Sequence, residues 1–546
     1  MNFLKFLQRE AGPITARLLT AAGLSGVLNG LLILLVLSAT GLDYRSPEQT
    51  QLLLLFVAVF AFFVICRKYL LDRTTGIVEG IITRVRIRIS EKVRGAELPH
   101  FEQIGASPIY TALAEDTRTL SDSASFLVSS LSSALLVILA MLYIAVLSLP
   151  AFFMLGTLMV LGGLFYIHNA RATRPALRRA AEQEHRFFDE LGHLLYGFKE
   201  LKIDVEKSTA LFEQELKVVA HRAEDIRLDA ARQFNRITVF GESFFYALMG
   251  VLIFVLPAFT TQQDSRTLVS VVAVLMFITS SVNDLVNAVP AVEKANIAIE
   301  NIERLEARLG PVPPAPRQEA SVAFERLACV GMTFHYPEVS GRSAFQLGPI
   351  DLAVRRGEVI FIIGGNGSGK STFLKLLCGL YPPSAGHLEL NGEPVTGGLL
   401  QQYRAKFAII LQDFHLFSRL FHMRRFDQAR IKQLLRAFDL ASVTGVREDG
   451  VLENTQLSKG QQKRLALLVT DLEDRDVLIF DEWAADQDPE FRRYFYNELI
   501  GSLAARGKTV IAATHDDHYF HLADRVLKMS EGKLEVYEQH PRERPV

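Results

Sequence analysis

Cysteine is rare in this chain: its 546 residues include only Cys66, Cys329 and Cys378, each far from the other two. A disulfide framework or a cysteine-ligated metal cluster needs more cysteines or closer spacing, so the sequence predicts neither. We expect all three to be small, buried, reduced side chains.

An excess of charge of one sign is also missing, because 59 Lys and Arg residues are balanced by 60 Asp and Glu residues. Proteins that bind nucleic acid usually carry a clear excess of positive charge on the binding domain. We therefore expect no nucleic-acid partner. Tryptophan is rarer still: the single one, Trp483, follows two carboxylates in "DVLIFDEWAADQDP".

Long apolar runs, in contrast, are frequent, and 49% of the residues are hydrophobic. A helix needs about 20 residues to cross the hydrocarbon core of a bilayer. Six segments are long enough to span it, the second and fourth being the shortest, and after Leu305 none recurs. They run from Arg17 to Thr40, Thr50 to Cys66, Phe126 to Ser148, Ala151 to His168, Val239 to Thr261 and Thr267 to Val289. The sequence therefore predicts a helical membrane domain over residues 1–305.

Lys and Arg residues are concentrated in the connections between the second and third segments and between the fourth and fifth. The opposite connections carry only Arg45 and Arg266. By the positive-inside rule, both long connections and both termini are predicted to be cytoplasmic. The N-terminus lacks a small-residue cleavage site, which favours an interfacial helix over a cleaved signal peptide.

Both long connections have apolar residues at helical spacing among charges, so we expect membrane helices that continue into the cytosol. Each contains a short elbow, near "ELPHFEQIG" and near "GFKELKI". An elbow of this kind is either a solvated helical hairpin or a contact surface for a cytoplasmic domain. Residues 306–320 are rich in proline and predict a linker. Residues 321–546 then alternate apolar strands and amphipathic helices, which predicts an α/β domain.

The strongest chemical motif lies near the start of this second domain, in "GEVIFIIGGNGSGKSTFLKLLCGL". An apolar strand leads into a G-x-x-x-x-G-K-[ST] turn and then a helix, which is the order of a phosphate-binding loop. Backbone N–H groups of such a loop surround phosphates, so a nucleotide is the predicted ligand. The predicted nucleotide-binding residues here are Gly364, Asn366, Gly367, Ser368, Gly369, Lys370, Ser371 and Thr372. Lys370 is expected to reach the β- and γ-phosphates and Ser371 to bind Mg²⁺.

A second motif, "VLIF" followed by Asp481 and Glu482, predicts a strand buried on both faces that ends in two carboxylates. Asp481 is expected to hold the Mg²⁺ ion and Glu482 to polarise the attacking water. The alternative is an N-capping aspartate beside a glutamate that stabilises a helix dipole. The phosphate loop upstream favours the first interpretation, because parallel strands gather their carboxyl ends at one edge of a sheet.

Between these motifs, "QLSKGQQKRLALL" resembles the signature of the ATP-binding cassette (ABC) family, and the resemblance extends over the whole chain. It implies a membrane α-helical bundle of six transmembrane helices, as in type I ABC exporters, fused to a cytoplasmic α/β P-loop ATPase domain. It also implies that Ser458, Gly460 and Gln461 contact ATP bound to the opposite subunit. Lys459 departs from the glycine usual in that position.

Further positions match the family one by one. Tyr336 is similar to the aromatic residue that stacks on adenine, Gln412 to the glutamine that senses Mg²⁺ and water, and His515 to the histidine that contacts the γ-phosphate. The resemblance thus implies Glu482, His515 and Gln412 as catalytic residues and Ser371, Gln412 and Asp481 as Mg²⁺ ligands. Asp488 matches a family aspartate, although the residues before it, Ala485 to Gln487, depart from the usual Ser-Ala-Leu.

The motifs "LSKGQQKR", "DEWAADQDP" and "THDDHYF" resemble those of the cyclic-peptide and siderophore exporter subfamily. That resemblance implies a multi-pass protein of the bacterial inner membrane, in contact with membrane lipid, that exports a peptide or siderophore-like substrate. Since each chain has one phosphate loop and one signature, a homodimer is expected. Polar residues of the last two spans could line its cavity or form hydrogen bonds between helices: Glu242, Tyr246, Asn283, Asp284 and Asn287.

Three alternatives stay open: a lipid or multidrug flippase, a siderophore importer, and a membrane ATPase that does not transport. The role of Trp483 also stays open, between packing against the signature region, shielding Glu482 from water and filling the domain core.

Overall fold

The computed structural model describes residues 2–11, 14–39, 47–172, 174–256, 265–311, 322–336, 345–421 and 426–539. The chain divides into two compact units. The first comprises Met1–Ala96 and Gln103–Val312, and the second comprises Glu97–Glu102 and Pro313–Val546.

The first unit is built from helices. They are α1 (Asn2–Ala11), α2 (Ile14–Ala39), α3 (Pro47–Gly95), α4 (Leu98–Ile104, shared with the second unit), α5 (Ala106–Thr111), α6 (Thr117–Leu147), α7 (Leu149–Ala172), α8 (Arg174–Tyr196), α9 (Phe198–Ile203), α10 (Val205–Ala210), α11 (Lys217–Gly250) and α12 (Ser265–Leu309). Three short π-helical segments lie between or after these helices: Ala112–Asp116 between α5 and α6, Leu211–Leu216 between α10 and α11, and Val251–Val255 directly after α11. The two predicted elbows correspond to α4 and α9.

Within the described residues, six helical stretches are long and apolar enough to cross a membrane: Thr20–Ala39, Pro47–Gly95, Ala106–Leu147, Leu149–Asn169, Val205–Val255 and Thr267–Leu309. Each overlaps one of the six predicted spans, which confirms the prediction of six membrane-spanning helices. Thr40 and residues 257–261 of those spans lie outside the described residues. Helix α3 has 49 residues and is therefore about 74 Å long, against a hydrocarbon core of about 30 Å. Such a helix must continue well beyond the bilayer.

The core of the first unit is apolar, with Ile144, Leu155, Leu252 and Leu275 completely buried. The predicted polar residues of the last two spans are not buried with them. Glu242, Tyr246, Asp284 and Asn287 are exposed on the single chain and Asn283 is half-buried. Asp284 accepts a hydrogen bond of 2.7 Å from the hydroxyl of Ser133.

The N-terminal helix α1 packs onto the same unit through its apolar face. Phe3 and Phe6 are buried, and the Phe3 backbone N–H donates to the Asn296 side chain at 2.9 Å. At the other end, Glu10 pairs with Arg88 at 2.7 Å. The amphipathic pattern of this helix is thus used for packing within the unit.

The last helix of the first unit ends at Leu309, so residues 306–309 of the predicted linker are helical. Pro311, the first of the linker prolines, follows within two residues of this end, as the missing N–H of proline requires. Residues 312–321 lie outside the described residues.

The second unit contains two sheets. Its strands are β1 (Arg326–His335), β2 (Gln346–Arg355), β3 (Val359–Ile363), β4 (Ala385–Leu390), β5 (Glu393–Pro394), β6 (Phe407–Ile410), β7 (Val477–Asp481), β8 (Thr509–Ala513), β9 (Arg525–Ser530) and β10 (Lys533–Gln539). Helices lie between these strands along the chain: α13 (Lys370–Leu377), α14 (Gly398–Arg404), α15 (Gln428–Ala437), α16 (Lys459–Glu473), α17 (Pro489–Tyr494) and α18 (Ile500–Ala505). The antiparallel sheet has the order β2-β1-β4-β5, and the larger sheet has the order β10-β9-β3-β8-β7-β6.

Within the larger sheet, β6, β7, β8, β3 and β9 are parallel. Strands β7 and β8 are buried at every position, because separate hydrophobic clusters cover the two faces of the sheet. Parallel strands buried on both faces read as continuous apolar runs, which explains "VLIF". The carboxyl ends of β3, β6, β7 and β8 consequently lie along one edge.

The short segment Glu97–Glu102 packs as part of the second unit. Glu97 pairs with Arg404 at 2.6 Å. Glu102 pairs with Lys375 at 2.9 Å and accepts a hydrogen bond of 2.6 Å from Tyr381.

The three cysteines, Cys66, Cys329 and Cys378, are buried and free, in agreement with the expected small packing side chains.

Candidate nucleotide-binding and hydrolysis site

The predicted phosphate loop connects β3 to α13, as the motif requires. Gly364 and Gly369 have φ angles of 153° and 107°, a region that favours glycine. A Cβ atom on Gly364 would lie 2.3 Å from the Met529 carbonyl oxygen. Only glycine therefore fits between β3 and β9 at the first position of the loop. The Ser368 hydroxyl in the same loop is buried, and no partner for it lies among the described residues.

Lys370 begins α13 and is buried, with 5% of its surface exposed. Its ammonium group donates to the carbonyl oxygens of Gly364 and Gly365 at 2.9 and 3.3 Å. It also lies 3.4 Å from a carboxylate oxygen of Glu482 and 3.3 Å from His515 Nε2. A cation held at the mouth of a glycine-rich loop is placed to bind phosphate oxygens.

Glu482 is the centre of a second group of side chains. Gln412 donates to one of its carboxylate oxygens at 2.5 Å, and His515 Nε2 lies 3.2 Å from the other. Gln412 follows β6, Glu482 follows β7 and His515 follows β8. The structure thus brings together all three residues predicted to be catalytic, because their strands are neighbours in the sheet.

Asp481 has a different environment from its neighbour Glu482. It is 1% exposed, and its Oδ1 atom has no hydrogen-bond partner among the described residues. Burial raises the pKa of the Asp481 carboxyl, while the side chain of Ser371 and the charge of Lys370 oppose that rise. A buried carboxylate with a free oxygen beside a serine hydroxyl fits a divalent cation that prefers oxygen ligands. Asp481 and Ser371 are therefore the residues that would hold Mg²⁺, which would neutralise phosphate charge there, whereas the third predicted ligand, Gln412, contacts Glu482.

Tyr336 lies at the end of β1, and 37% of its surface is exposed. Its hydroxyl forms a hydrogen bond of 3.1 Å with Thr372, two residues after the phosphate-loop lysine. Edge contacts with Phe334 and Tyr381, at ring-centre distances of 5.1 and 6.0 Å, hold the ring. A ring fixed beside the loop offers a stacking surface for a nucleotide base.

The predicted signature residues form the N-terminus of α16. Ser458 and Gln461 make a capping box: the Gln461 N–H donates to Ser458 Oγ at 3.3 Å, and the Ser458 N–H donates to Gln461 Oε1 at 3.2 Å. A Cβ on Gly460 would lie 2.8 Å from the Asp486 carbonyl oxygen. Among the described residues, no hydrogen bond joins Ser458 or Gln461 to the phosphate loop of the same chain.

Asp488 caps α17, because it accepts a hydrogen bond from the Phe491 N–H at 2.9 Å. This bond, together with the Arg464 charge, holds the pKa of the Asp488 carboxyl below its usual value. Arg464 forms an ion pair with Asp488, and its guanidinium lies 4.0 Å above the Phe491 ring. Asp488 therefore connects the loop after Glu482 to the signature helix.

Trp483 is 1% exposed and lies in the core. Its ring stacks on Phe495 with centres 4.4 Å apart, and its Nε1–H donates to the Lys463 carbonyl at 3.0 Å. Two of the alternatives considered for Trp483 therefore apply at the same time: it packs against the signature helix, and it fills the domain core.

The sequence analysis missed Lys463 and Arg464 as residues of the site. Both are buried, at 4% and 9% exposure. Their position in the sequence could have indicated this burial. The two cations directly precede the apolar run "LALL" of an amphipathic helix, whose apolar side is expected to face the core.

Comparison with known proteins agrees with this geometry. Residues 347–485 match the family model described as "ABC transporter". The chain is 34% identical to the ATP-binding protein SyrD of Pseudomonas syringae pv. syringae, over 83% of this chain and 82% of SyrD. It is 30% identical to an ATP-dependent lipid A-core flippase of Ralstonia nicotianae, over 40% of this chain and 38% of the flippase.

Among solved structures, a bacterial Atm1-family ABC exporter with ATP bound is similar with a TM-score of 0.73 and 16% identity, over 96% of this chain and 94% of the exporter chain. That likeness confirms the predicted fold of a six-helix membrane domain followed by an α/β ATPase domain. The chain belongs to the ABC transporter family, as a multi-pass membrane protein that binds ATP and couples its hydrolysis to transport.

Proposed function

We propose that this protein exports a cyclic or modified peptide, such as a siderophore precursor or a lipopeptide, across the bacterial inner membrane as a homodimer. The substrate class is inferred from one observation: the residues of the motifs "LSKGQQKR" and "DEWAADQDP" resemble those of cyclic-peptide and siderophore exporters. Similarity to SyrD over most of both chains supports this choice. In this proposal both termini are cytoplasmic, in line with the distribution of Lys and Arg.

The hydrolytic roles follow from the contacts of each side chain. Lys370 binds the β- and γ-phosphates, Asp481 and Ser371 hold Mg²⁺, and Glu482 accepts a proton from the attacking water. Gln412 and His515 orient the Glu482 carboxylate, which they contact at 2.5 and 3.2 Å. Tyr336 stacks on adenine. The water-activating role fits Glu482 because its side chain is 20% exposed, whereas Asp481 is closed off.

The dimer is supported by the separation of function within one chain. Each chain has one phosphate loop and one signature, and Ser458 and Gln461 bond to each other instead of to the loop. In the proposed dimer, Ser458, Gly460 and Gln461 of one chain complete the ATP site of the other. Asp488 lies at the same junction.

The transport route is supported by polar residues on membrane helices. Glu242 and Asp284 are exposed on the single chain. A charged residue in contact with lipid at the bilayer centre costs about 2.5–3.5 kcal/mol on insertion scales. Such residues are better placed facing a partner subunit or a water-filled cavity, and we assign Glu242, Tyr246, Asp284 and Asn287 to the peptide pathway.

A lipid flippase is the second candidate function. The similarity to the lipid A-core flippase of Ralstonia nicotianae favours it. Lipid substrates would need apolar surface next to the polar pathway, which the exposed aromatic and aliphatic residues of the membrane helices also offer.

Inverted inner-membrane vesicles that contain the protein would test the proposal. We expect ATP-dependent uptake of a labelled cyclic lipopeptide or siderophore precursor, and no uptake with the Glu482→Gln variant. A fluorescent lipid A analogue serves as the matched competitor. Translocation of the lipid without the peptide would replace the first function by the second. If no substrate moves while ATP is still hydrolysed, the proposal of an exporter for these peptides is wrong.

A further inference from the structure

We propose that Lys463 and Trp483 form a two-way clamp that positions the catalytic carboxylate, so that Lys463 is a positioning residue for ATP hydrolysis. This inference rests on the proposed role of Glu482 as the group that activates water. The clamp consists of three backbone contacts between the signature helix α16 and the peptide units that follow β7.

The first half of the clamp is the Lys463 ammonium group, which is 4% exposed. It donates to the carbonyl oxygens of Glu482 and Trp483 at 2.8 and 3.3 Å. It also pairs with the carboxylate of Asp486 at 2.8 Å. An ammonium group has three N–H donors, so all three are used here. All three N–H groups of this buried lysine thus contact the loop that contains Glu482.

The second half of the clamp runs in the opposite direction. The Trp483 Nε1–H donates to the Lys463 carbonyl at 3.0 Å. The indole is held in turn by Phe495, stacked at 4.4 Å, and by Phe491 at 6.0 Å. Since each residue of the pair bonds to the backbone of the other, the helix and the loop cannot shift independently.

Glu482 has a backbone conformation that needs such support. Its φ and ψ angles are 49° and 38°, in the left-handed region, which a non-glycine residue occupies only when the surrounding structure holds it there. The two carbonyls bound by Lys463 are those of Glu482 and of the next residue. Their orientation sets the direction of the Glu482 side chain toward Gln412 and His515.

The clamp explains three features together: the only tryptophan beside the carboxylates, a buried lysine in the signature helix, and a strained glutamate between them. If the clamp opens, we expect Glu482 to rotate away from the attacking water while the phosphate loop stays intact. Positional errors of about 1 Å reduce rates by up to about 100-fold. Binding of ATP depends on Lys370 and Tyr336 and should not change.

The test compares Lys463→Met, which keeps the length of the side chain, with Trp483→Phe, which removes the indole donor and keeps a smaller aromatic ring. In steady-state ATPase assays of the full-length protein in detergent, we expect kcat to fall about 10-fold or more for Lys463→Met and less for Trp483→Phe. The KM for ATP should stay within about twofold in both variants. Trp483→Phe keeps an aromatic ring between Phe491 and Phe495, so it remains informative if Lys463→Met does not fold.

Lys406→Met is the matched control. Lys406 is also buried, at 8% exposure, and pairs with Asp476 at 3.3 Å. It lies at the amino end of β6, at the opposite end of the strands from Glu482. This control should keep kcat near that of the wild type. An equal loss of kcat in the control would show that any buried lysine matters for stability alone, and would overturn the clamp.

A double-mutant cycle with Glu482→Gln separates the two proposals. If Lys463 acts through Glu482, Lys463→Met should reduce the residual hydrolysis of the Glu482→Gln protein little further. Additive losses, or wild-type kcat in both clamp variants, would overturn the clamp and leave the role of Glu482 standing. Normal turnover of Glu482→Gln alone would instead overturn the proposed function of the carboxylate.

Discussion

Asp481 and Glu482 are adjacent in the chain, yet their carboxylates have different surroundings. Asp481 is closed off in the sheet edge, where burial raises its pKa. Glu482 is partly exposed and hydrogen-bonded to Gln412 and His515. When environments separate two neighbouring carboxylates in this way, one can serve a metal ion and the other a proton transfer. The two residues should therefore respond differently to loss of their charge.

Glu482→Gln keeps the shape of the side chain and removes its charge and basicity. We expect hydrolysis to fall by about 100-fold or more, the contribution of a positioned acid–base group, while ATP remains bound. Asp481→Asn should weaken binding of Mg²⁺ and ATP together, because it removes a metal ligand. ATP occupancy and turnover, measured for both variants at the same Mg²⁺ concentration, check these expectations. Equal loss of ATP binding in the two variants would contradict separate roles.

The signature helix α16 connects several parts of the second unit. Its first turn presents Ser458, its middle carries Lys463, and near its end Asp471 binds two arginines. The Asp471 oxygens lie 2.9 Å from Arg430 and 2.6 Å from Arg506, which belong to α15 and to the residue after α18. Asp471 is 6% exposed and the arginine side chains are 40% exposed. One carboxylate thus ties three helices together.

Asp471→Asn should lower the free energy of unfolding by about 1.5–3 kcal/mol, the range for hydrogen bonds to charged groups. The half-exposed arginines regain water, which keeps the loss below that of a fully buried pair. Thermal unfolding of the full-length protein with and without the change measures this difference. Asp439→Asn is the control, since Asp439 is 86% exposed and pairs with Arg464 only at 3.6 Å. A similar shift for both variants would contradict the proposed tie.

At the scale of the whole molecule, the part of the chain that the structure describes holds six candidate membrane spans, and the family match covers one ATPase domain. Its membrane helices expose both apolar residues and the charged Glu242 and Asp284. Its signature residues bond among themselves. These features are those of half a transporter, and the proposed homodimer completes both the pathway and the ATP sites.

Chains with Ser458→Arg and chains with Lys370→Ala should each form inactive homodimers. Heterodimers of the two, isolated through different tags after co-expression, should regain about half the wild-type activity, because one of two composite sites is intact. ATPase assays of the isolated heterodimers measure this recovery.

The matched control places both changes in one chain and pairs it with a wild-type chain. Composite sites predict no activity for that pair, since each site then contains one damaged half. Sites made within single chains predict the reverse pattern, with activity in the control and none in the first heterodimer.

The amino-acid sequence by itself determined the features that depend on neighbouring residues. Six runs of apolar residues specify the spans because a helix satisfies its own backbone in lipid. The phosphate loop is equally local, since the glycines at 364, 367 and 369 and the lysine that follows act within one turn. Parallel-strand geometry extended this reasoning to Asp481 and Glu482, whereas Gln412 and His515 were expected only from the family resemblance; the three catalytic candidates meet because neighbouring strand ends share an edge.

Only the tertiary structure decided which residues support these groups. Nothing in the spacing of Lys463, Trp483 and Phe495 shows that they meet, because their contacts depend on how α16 and α17 pack on the sheet. The same holds for Asp471 between Arg430 and Arg506, and for Phe3 against Asn296, almost the full length of the first unit away. Packing brings together residues distant in the chain, and several backbone orientations are compatible with the same local pattern. A residue's chemistry is therefore legible in the sequence, whereas its partners are set by the fold.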